Sequence, residues 1–513
     1  IQKNLLLLLS NCGFSTTPSI THFIIMSKKK RSIINLTSDT SDDDDDDVLP
    51  SKNKKSCIDL TGDDDDERPR DTSLHRQKMA WYLLESKNIC SSGNEHVAKS
   101  FREVMNAGIA HPSWVVLSNM LFDWGFLSDI WPELVSVDRV CIFQHDTDRP
   151  QLPANFEIHG RNPKVHGITH PSGTRIVGDR IWGSHHAKFA ILGYEESVRI
   201  VITTANFVPM DVLYLSQGVW YQDFPLLENC VSDFGTSLID YVQALLDHGG
   251  GPATRGNWGS HFQGSLTKAL SRYDYTGATA YLVPVVPGYH QGEALHRYGQ
   301  MRVRSILSKY QKHNDGNIIM QFSSMASTNP SYIKQLTKTF GGDPKKDRLN
   351  IVWPTREDIL NSTQGPLAGS HLPARKDNVD KLHQGGYLYK WKDKTASRNS
   401  PLLQARERAV PHMKSMTRIL SDRVAWSIIT SSNISKSSWG DIQKSETQLY
   451  CQNWELGILV TPDTLKCDRL LTKQQSDNSP LTYDNQSTAI VPLPFPTSPL
   501  VPYAPDDNPW VSF

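Results

Sequence analysis

The spacing of hydrophobic and polar positions becomes regular near residue 77. Short apolar runs beyond that point predict strands at Val140–Phe143, Val198–Ile202 and Ala278–Val286. Apolar residues along one face predict an amphipathic helix at Leu238–Leu246, and the apolar stretch over 79–90 is also interpreted as helical. Because strands and helices mix throughout this region, the pattern predicts an α/β fold.

Breaks in the pattern divide the chain into three parts. Residues 26 to about 75 contain no aromatic side chain and are rich in Ser, Asp and Lys, so they cannot bury enough apolar surface to become ordered. Gly249–Pro252 marks a second break. We therefore predict a disordered tail at 1–78, a first folded domain at 79–275 and a second at 276–513.

Several features bear on the compartment of the protein. Residues 1–25 are interpreted as a leader or a gene-model artefact, because Met26 precedes the basic cluster Lys28–Arg31, which is typical of nuclear import. A signal peptide at Leu5–Leu9 is the alternative, but the run is short and lacks a clear cleavage site. Seven scattered cysteines without a C-x-x-C motif argue for a reducing compartment and against a structural zinc site. No apolar run approaches the roughly 18 residues of a membrane span, so we expect no membrane contact. The basic cluster and the cysteine pattern together predict a nuclear protein.

The tail contains a short pattern twice. Ile33–Leu36 precedes the acidic run Asp42–Asp47, and Ile58–Leu60 precedes Asp63–Glu67. A β-prone apolar stretch beside acids can add a strand to the sheet edge of a partner with a basic rim. The pattern resembles a SUMO-interacting motif, and the alternative is a solvated charge run with incidental apolar residues.

Charge is distributed unevenly, although Lys+Arg and Asp+Glu both number 54. Residues 26–71 carry a net charge of −5 and residues 72–513 a net charge of +4. This small positive excess permits binding of a polyanion such as DNA but does not require it.

An internal repeat carries the candidate chemistry. Both copies have the order His-x-Lys, β-prone run, Asn, and the residues are His186, Lys188 and Asn206, then His412, Lys414 and Asn433. The His-to-Asn separation is 20 residues in the first copy and 21 in the second. A single H-x-K is expected by chance, but two with matched spacing indicate duplication of one domain. Because one chain supplies both copies, we expect a monomer.

These residue types suit phosphoryl chemistry. Residues i and i+2 of a strand share a face, so His and Lys of each motif are expected to point the same way. Lysine charge and asparagine amides favour a phosphate whose negative charge grows as it is attacked. Histidine can act as a nucleophile on one side and as an acid on the other. We expect no metal or other cofactor; His185 and His186 as zinc ligands are disfavoured because adjacent strand residues face opposite ways.

The two motifs resemble those of the phospholipase D superfamily, whose members pair two H-x-K motifs across two similar α/β domains. The usual Asp five residues after the Lys is absent, since Gly193 and Ile419 occupy those positions. The form with Asn is instead similar to the tyrosyl-DNA phosphodiesterases, which act on 3′-end adducts of DNA. The resemblance covers about 80–513 and rests on Gly183–Lys188, Ile202–Asn206, Gln217–Trp220, Gln321–Ser324, Pro411–Lys414, Thr430–Gly440 and Trp454–Gly457. It implies two phospholipase D-like α-β-α domains related by a pseudo-twofold axis.

The resemblance also implies roles for the site residues. His186 would attack the phosphorus of a 3′-phosphotyrosyl bond and form a phosphohistidine, and His412 would protonate the phenolate and then activate water. The non-bridging oxygens would be held by Lys188, Lys414, Asn206 and Asn433. The histidines would be oriented by Gln217 and Glu455. The products would be a 3′-phosphate end and a tyrosyl peptide from a type IB topoisomerase, and other 3′ blocks are a further substrate class.

The substrate groove is implied by weaker matches. Trp182, next to Gly183, matches an aromatic residue that can stack on a base, although a packed core Trp is the alternative. Contacts to the backbone of single- or double-stranded DNA would come from Ser323, Ser324 and Ser435. Trp510 is a weaker candidate for substrate contact, and residues 352–408 have no clear counterpart.

Two other functions remain open from the sequence. One is a related phospholipase or nuclease that uses the same histidine chemistry, against which stand Asn in place of Asp and the missing lipid-binding region. The other is an inactive scaffold that binds DNA or SUMO, against which stand the intact His and Lys of both copies.

Overall fold

The computed structural model describes residues 78–512, with gaps at 88, 90–95, 107–110, 138, 146–163, 171–174, 177–178, 181–182, 229, 249–265, 311–315 and 478–487. These residues belong to one compact unit. The tail predictions, including both SUMO-type motifs and the basic cluster, lie outside the described residues.

Strands and helices alternate along the described residues. The strands are β1 Lys78–Met79, β2 Tyr82–Leu84, β3 Ala98–Lys99, β4 Trp114–Asn119, β5 Arg139–His145, β6 Lys164–His170, β7 Arg175–Ile176, β8 Asp179–Arg180, β9 Phe189–Gly193, β10 Ser197–Thr203, β11 Gly218–Pro225, β12 Tyr281–Val285, β13 Gly288–Gln291, β14 Asn317–Gln321, β15 Leu349–Trp353, β16 Leu388–Lys390, β17 Ser415–Ile419, β18 Val424–Thr430, β19 Asp441–Gln443, β20 Gln448–Cys451, β21 Glu455–Val460, β22 Arg469–Thr472 and β23 Thr488–Val491. The α-helices are α1 Phe101–Met105, α2 Trp124–Ile130, α3 Pro209–Leu213, α4 Asp233–His248, α5 Gly299–Leu307, α6 Pro330–Thr339, α7 Arg356–Leu360, α8 Pro366–Gly369, α9 Lys376–Gln384, α10 Lys394–Arg398, α11 Pro401–Arg406, α12 Lys436–Trp439, α13 Pro462–Leu465 and α14 Lys473–Asp477. Short 3₁₀ helices occur at Pro132–Ser136 and Gly292–His296.

Two large sheets repeat one strand order. The first runs β3-β2-β11-β10-β9-β4-β5-β6 and the second runs β12-β21-β18-β17-β14-β15-β16. From β2 and from β12 onward, the first four neighbouring pairs are antiparallel and the last two are parallel in both sheets. The predicted α/β class and its internal duplication are therefore confirmed. The sheets use residues 82–225 and 281–460; the domain limits 79–275 and 276–513 remain predictions.

The sheets meet through a shared apolar core. Buried side chains of both halves form one hydrophobic cluster. Tyr241 of α4 packs against Phe189 of the first sheet and Trp454 of the second half, with ring centroids 6.1 and 6.0 Å apart. The apolar face of the helix predicted at Leu238–Leu246 thus packs between the two halves. Burial of large aromatic rings contributes much of the stability of this contact.

The predicted helix at 79–90 is wrong. This stretch contains β1 and β2, and β2 pairs with β11 so that Leu83 faces Gly218. Leu83, Leu84 and Trp81 are all buried because both faces of the segment are covered. A short apolar run without alternation cannot be assigned to helix or strand by its period. The strands predicted at Val140–Phe143, Val198–Ile202 and Ala278–Val286 and the helix at Leu238–Leu246 are confirmed.

Residues 352–408, which the sequence left without a counterpart, contain five short helices and β16, the edge strand of the second sheet. The segment is anchored by Trp510, which is buried, and its contact with a substrate remains a prediction. Its Nε1 donates to the carbonyl oxygen of Leu372 at 3.1 Å, and Trp353 Nε1 donates to the carbonyl oxygen of Trp510 at 2.9 Å. No helix of the described residues has the length and apolar character to cross a bilayer.

Candidate active site

The two H-x-K segments occupy equivalent places, each immediately before a strand. His186–Lys188 leads into β9 and His412–Lys414 leads into β17, so the expectation that the motifs are strand residues is wrong by a few positions. The backbone N–H of His186 donates to the carbonyl oxygen of Trp454 at 3.0 Å, and that of His412 donates to Ser216 at 3.0 Å. Each half therefore holds the histidine segment of the other.

His186 is oriented by a carboxylate from the second half. Its Nδ1 lies 2.8 Å from Oε2 of Glu455, whose side chain is fully buried. The Ser431 hydroxyl donates to the same oxygen, and Asn453 Nδ2 donates to the other oxygen at 3.0 Å. A carboxylate at Nδ1 retains the proton of that nitrogen, so Nε2 keeps its lone pair. A nucleophilic histidine needs this tautomer.

His412 is oriented by an amide from the first half. Gln217 Nε2 lies 2.9 Å from Nδ1 of His412, and the Thr204 hydroxyl donates to Oε1 of the same amide at 2.7 Å. Oδ2 of Asp211 lies 3.3 Å from the same Nδ1. An amide N–H suits the neutral tautomer whose proton is on Nε2, whereas a carboxylate suits a ring whose Nδ1 carries a proton. Asp211 is therefore the partner both of the imidazolium and of the neutral form that remains when Nε2 gives up its proton and later regains it.

The two lysines occupy equivalent buried positions. Lys188 Nζ donates to the carbonyl oxygen of His186 at 2.8 Å, and Lys414 Nζ donates to that of His412 at 2.8 Å. Burial lowers the pKa of Lys188 to about 8. Burial also lowers the pKa of Lys414 well below its ordinary value, and the charge of Lys188 adds to the shift. Two buried ammonium groups that repel each other favour an anion beside them.

The two asparagines are fixed by different neighbours. Oδ1 of Asn433 accepts from the backbone N–H groups of Ser323 and Ser324 at 3.1 and 3.0 Å, which makes Nδ2 the available donor. Nδ2 of Asn206 donates to Oδ2 of Asp211 at 2.9 Å. Its Oδ1 is buried without a hydrogen-bond partner among the described residues. One hydrogen of this amide remains for a ligand.

Burial is the largest influence on the ionisation of the histidines. It lowers the pKa of His186, a shift that Glu455 opposes and Lys188 reinforces. It lowers the pKa of His412 well below its ordinary value, although the charge of Asp211 opposes the shift. Burial would raise the pKa of Glu455 and Asp211, but the neighbouring imidazoles hold both below their ordinary values. Burial thus favours the neutral form of both rings, whereas the two carboxylates favour their charged form.

A metal ion fits this arrangement poorly. In the described part of the chain, Asp211, His371 and His412 bring potential ligand atoms within 4.8 Å of one another. The Nδ1 of His412, however, already lies 2.9 Å from Gln217 Nε2 and 3.4 Å from Lys414 Nζ. An ammonium group at that distance opposes a cation. The three residues are better described as a network around one carboxylate.

A sequence model of the tyrosyl-DNA phosphodiesterase family matches residues 78–504, which include both histidine sets. The chain belongs to the tyrosyl-DNA phosphodiesterase family. It is therefore a phosphodiesterase of the hydrolase class with the phospholipase D fold, and the family name connects it with DNA repair. The resemblance drawn from the two motifs is confirmed.

Curated relatives agree with this assignment. The chain is 30% identical over 434 residues to tyrosyl-DNA phosphodiesterase 1 of Arabidopsis thaliana, an alignment that covers 77% of this chain and 68% of the relative. It is 27% identical over 445 residues to the Drosophila melanogaster protein of that name, which covers 82% of this chain and 71% of the relative. The fold is similar to the crystal structure of the yeast tyrosyl-DNA phosphodiesterase, with a TM-score of 0.61 at 16% identity over 84% of this chain and 99% of the yeast chain.

The residues that the family resemblance assigned to the groove have mixed placements. Trp182 lies outside the described residues. Gly183 is required for close packing, because a Cβ there would lie 1.8 Å from the backbone oxygen of Gln452. Ser323 and Ser324 use their backbone N–H groups to hold Asn433, and Ser435 caps α12 by accepting from Ser438 N. Their contacts with DNA remain predictions.

Two residues at the site were not predicted from the sequence. Asp211 is fully buried in α3 and contacts both Asn206 and His412. An acid in the first turn of a helix is common, so no specific pattern pointed to Asp211. His371 is a single histidine in a loop of the region without a counterpart, and it belongs to no motif.

Proposed function

We propose that this chain hydrolyses the 3′-phosphotyrosyl bond that joins DNA to a trapped type IB topoisomerase, with a phosphohistidine intermediate. The proposal rests on one observation: each histidine is oriented by side chains of the opposite half. Glu455 at Nδ1 of His186 favours a nucleophilic Nε2, and Gln217 with Asp211 at Nδ1 of His412 favours a residue that carries and returns a proton.

The first step forms the covalent intermediate. The lone pair on Nε2 of His186 attacks phosphorus, and the bond from phosphorus to the tyrosine oxygen breaks. His412 gives its proton to the departing phenolate, and tyrosine or a tyrosyl peptide leaves. Because a phenol has a pKa of about 10, protonation assists its departure.

The second step releases the DNA end. His412, now neutral, takes a proton from a water molecule as that water attacks phosphorus. The phosphorus–nitrogen bond to His186 breaks, and the products are a 3′-phosphate end and the free enzyme. His412 ends the cycle with its proton restored, so the site needs no external acid.

Charge at the site supports this sequence of events. The non-bridging oxygens are proposed to be bound by Lys188, Lys414, Asn206 and Asn433. A phosphodiester brings one negative charge next to His412, which favours protonation of His412 on substrate binding. The same chemistry would accept other 3′ blocks whose leaving group His412 can protonate.

The test uses a single-stranded oligonucleotide with a 3′-phosphotyrosine and EDTA in the buffer. The wild-type chain is expected to release a 3′-phosphate end, and His186→Ala to release none. His412→Ala is expected to accumulate a covalent DNA–protein species, because it lacks the base for the second step. The exposed His296 supplies a matched control, since His296→Ala should cleave like the wild type.

The outcomes separate the candidate functions. Absence of cleavage by the pure wild type would contradict the proposal and leave a scaffold that binds DNA. Loss of activity in EDTA would contradict the metal-independent mechanism. Cleavage of an unmodified oligonucleotide or of a phospholipid at a comparable rate would favour the related nuclease or phospholipase.

The tail is proposed to determine where the enzyme is located in the cell and not to assist catalysis. Lys28–Arg31 would direct import into the nucleus, and Ile33–Leu36 with Ile58–Leu60 would bind SUMO. Deletion of 26–71 should leave cleavage almost unchanged but reduce nuclear retention. Loss of catalysis on deletion would contradict this role.

A further inference from the structure

His371 lies beside the proposed acid although neither repeat motif contains it. It follows α8, and its backbone N–H donates to Ala368 at 3.1 Å, which closes the turn. Its ring centroid lies 6.0 Å from that of His412, with the planes at 82°. The side chain is 23% exposed, whereas that of His412 is 8% exposed. His371 therefore lies closer to solvent than His412 does.

One buried carboxylate joins the two imidazoles. Oδ1 of Asp211 lies 3.1 Å from Nδ1 of His371, and Oδ2 lies 3.3 Å from Nδ1 of His412. Oδ2 also accepts from the backbone N–H and the side-chain amide of Asn206 at 2.7 and 2.9 Å. Asp211 itself has no exposed surface, so its carboxylate is stabilised by these neighbours and not by water.

The loop that carries His371 is held in place from behind. A Cβ at Gly369 would lie 2.3 Å from the ring of Trp510, and the indole N–H of Trp510 donates to the carbonyl oxygen of Leu372 at 3.1 Å. Leu372 is fully buried. Close packing on both sides of His371 fixes the direction of its side chain toward Asp211.

We propose that His371 is a positioning residue of this enzyme: through Asp211 it orients His412 and weakens the attraction of the carboxylate for the proton that His412 delivers. The proposal rests on the role given to His412 under the proposed function. His371 does not touch the reacting atoms, so its effect is indirect and passes through the shared carboxylate.

The charges around His412 agree in sign with this role. Burial is the main cause of its low pKa, Asp211 opposes the shift, and Lys414, His371 and Lys188 reinforce it. These groups come from α3, the loop after α8 and both H-x-K segments. Removal of His371 takes away one reinforcing group and leaves the full charge of Asp211 to His412, so the pKa of His412 should rise.

The test replaces His371 in the full chain by Phe and by Asn. Phe keeps a planar ring of similar size but cannot donate to Asp211, whereas the amide of Asn can donate from nearly the position of Nδ1. His296 is exposed and supplies the matched control His296→Phe. Each protein is labelled with ¹³C-histidine, and the Cε1–H signal of His412 is titrated by NMR, with His412→Asn for assignment.

We expect His371→Phe to raise the pKa of His412 by about half a pH unit or more, while His371→Asn and His296→Phe leave it near the wild-type value. The basic limb of the kcat/KM profile for the 3′-phosphotyrosyl oligonucleotide should move upward by the same interval in His371→Phe alone. An unchanged titration in a folded His371→Phe would overturn the proposal. Stoichiometric Zn²⁺ binding that His371→Asn abolishes would also overturn it, because the three residues would then form a metal site.

The NMR readout does not depend on turnover, so the two proposals fail separately. A shifted titration without cleavage of the tyrosyl substrate would refute the proposed function and leave the coupling of His371 to His412 intact. Cleavage with no shift in either readout would refute the coupling and leave the proposed function intact.

Discussion

At the scale of single residues, the two histidines differ in how a carboxylate reaches them. Glu455 contacts Nδ1 of His186 at 2.8 Å, but the equivalent position in the other copy is Gln217. His412 receives its carboxylate from Asp211, which lies five residues after Asn206, and Ser438 stands five residues after Asn433. The two halves thus supply two carboxylates from non-equivalent positions, and the proposed roles of nucleophile and acid rest on that difference.

The proposed acid role of His412 predicts a dependence on the leaving group. His412→Ala should slow release of tyrosine by roughly 10²–10⁴-fold, but release of nitrophenol, a much stronger acid, should slow far less because that group leaves without protonation. The measurement is a single-turnover burst with both 3′-aryl oligonucleotides. Equal losses on the two substrates would contradict the role, and His296→Ala should show neither loss.

The sequence was sufficient to predict which repeated His, Lys and Asn residues lie together at the site, and to add Gln217 and Glu455, because each stands at a matched place in both copies. It was insufficient to predict that Asp211 and His371 lie there as well. Their positions depend on contacts between segments that lie far apart in the chain, such as the 3.1 Å approach of His371 to Asp211. Neither residue has a counterpart of the same type in the other copy, so no repeat could reveal it.

At the scale of elements, strands were easier to predict than short helices. The strands that carry the site are apolar on both faces, as buried strands of mixed sheets are, and they stand out as continuous runs. The segment 352–408 instead forms helices of four to nine residues, which are too short to show a period. Its position is set by packing against Trp510 rather than by local propensity.

Packing of this segment predicts that Gly369→Ala is destabilising. The added methyl group would overlap the ring of Trp510, and overpacking of this kind costs about 1–3 kcal/mol. The shift should also displace the loop of His371 and lower kcat. Urea denaturation and turnover of the tyrosyl oligonucleotide measure the two effects.

Gly277→Ala is the matched control for that substitution, because no atom lies within 4 Å of a Cβ at Gly277. Both variants remove the same backbone freedom, so only the contact with Trp510 distinguishes them. A Gly369→Ala protein as stable and as active as Gly277→Ala would show that this packing does not hold the loop.

At the scale of the whole molecule, the buried charges of the active site lower the stability of the folded chain. The buried cation Lys188 has a pKa near 8 in the folded chain against an ordinary value of 10.5. Between those values the unfolded chain binds more protons than the folded chain, so stability should rise with pH through this window. Below it, a buried charge is retained at the expense of stability and in favour of anion binding.

Lys188→Met should therefore abolish cleavage and raise the free energy of unfolding at pH 7 by about 1–3 kcal/mol. The gain should shrink as the pH rises from 8 to 10.5, because the wild-type lysine then loses its charge. Denaturation at several pH values measures both effects, and the exposed Lys394 provides the control Lys394→Met. A variant less stable than the wild type at pH 7 would contradict the argument.

The two histidines are oriented by different residues, Glu455 and Gln217, and this difference bears on how such a site can arise. A dimer of identical chains must place the same residue on both sides of its symmetry axis, so both imidazoles would meet the same support and would compete for the same task. Joining the halves in one polypeptide removes that constraint. Glutamate on one side and glutamine on the other then make the two imidazoles different before any substrate binds, whereas identical subunits become different only when an asymmetric substrate binds.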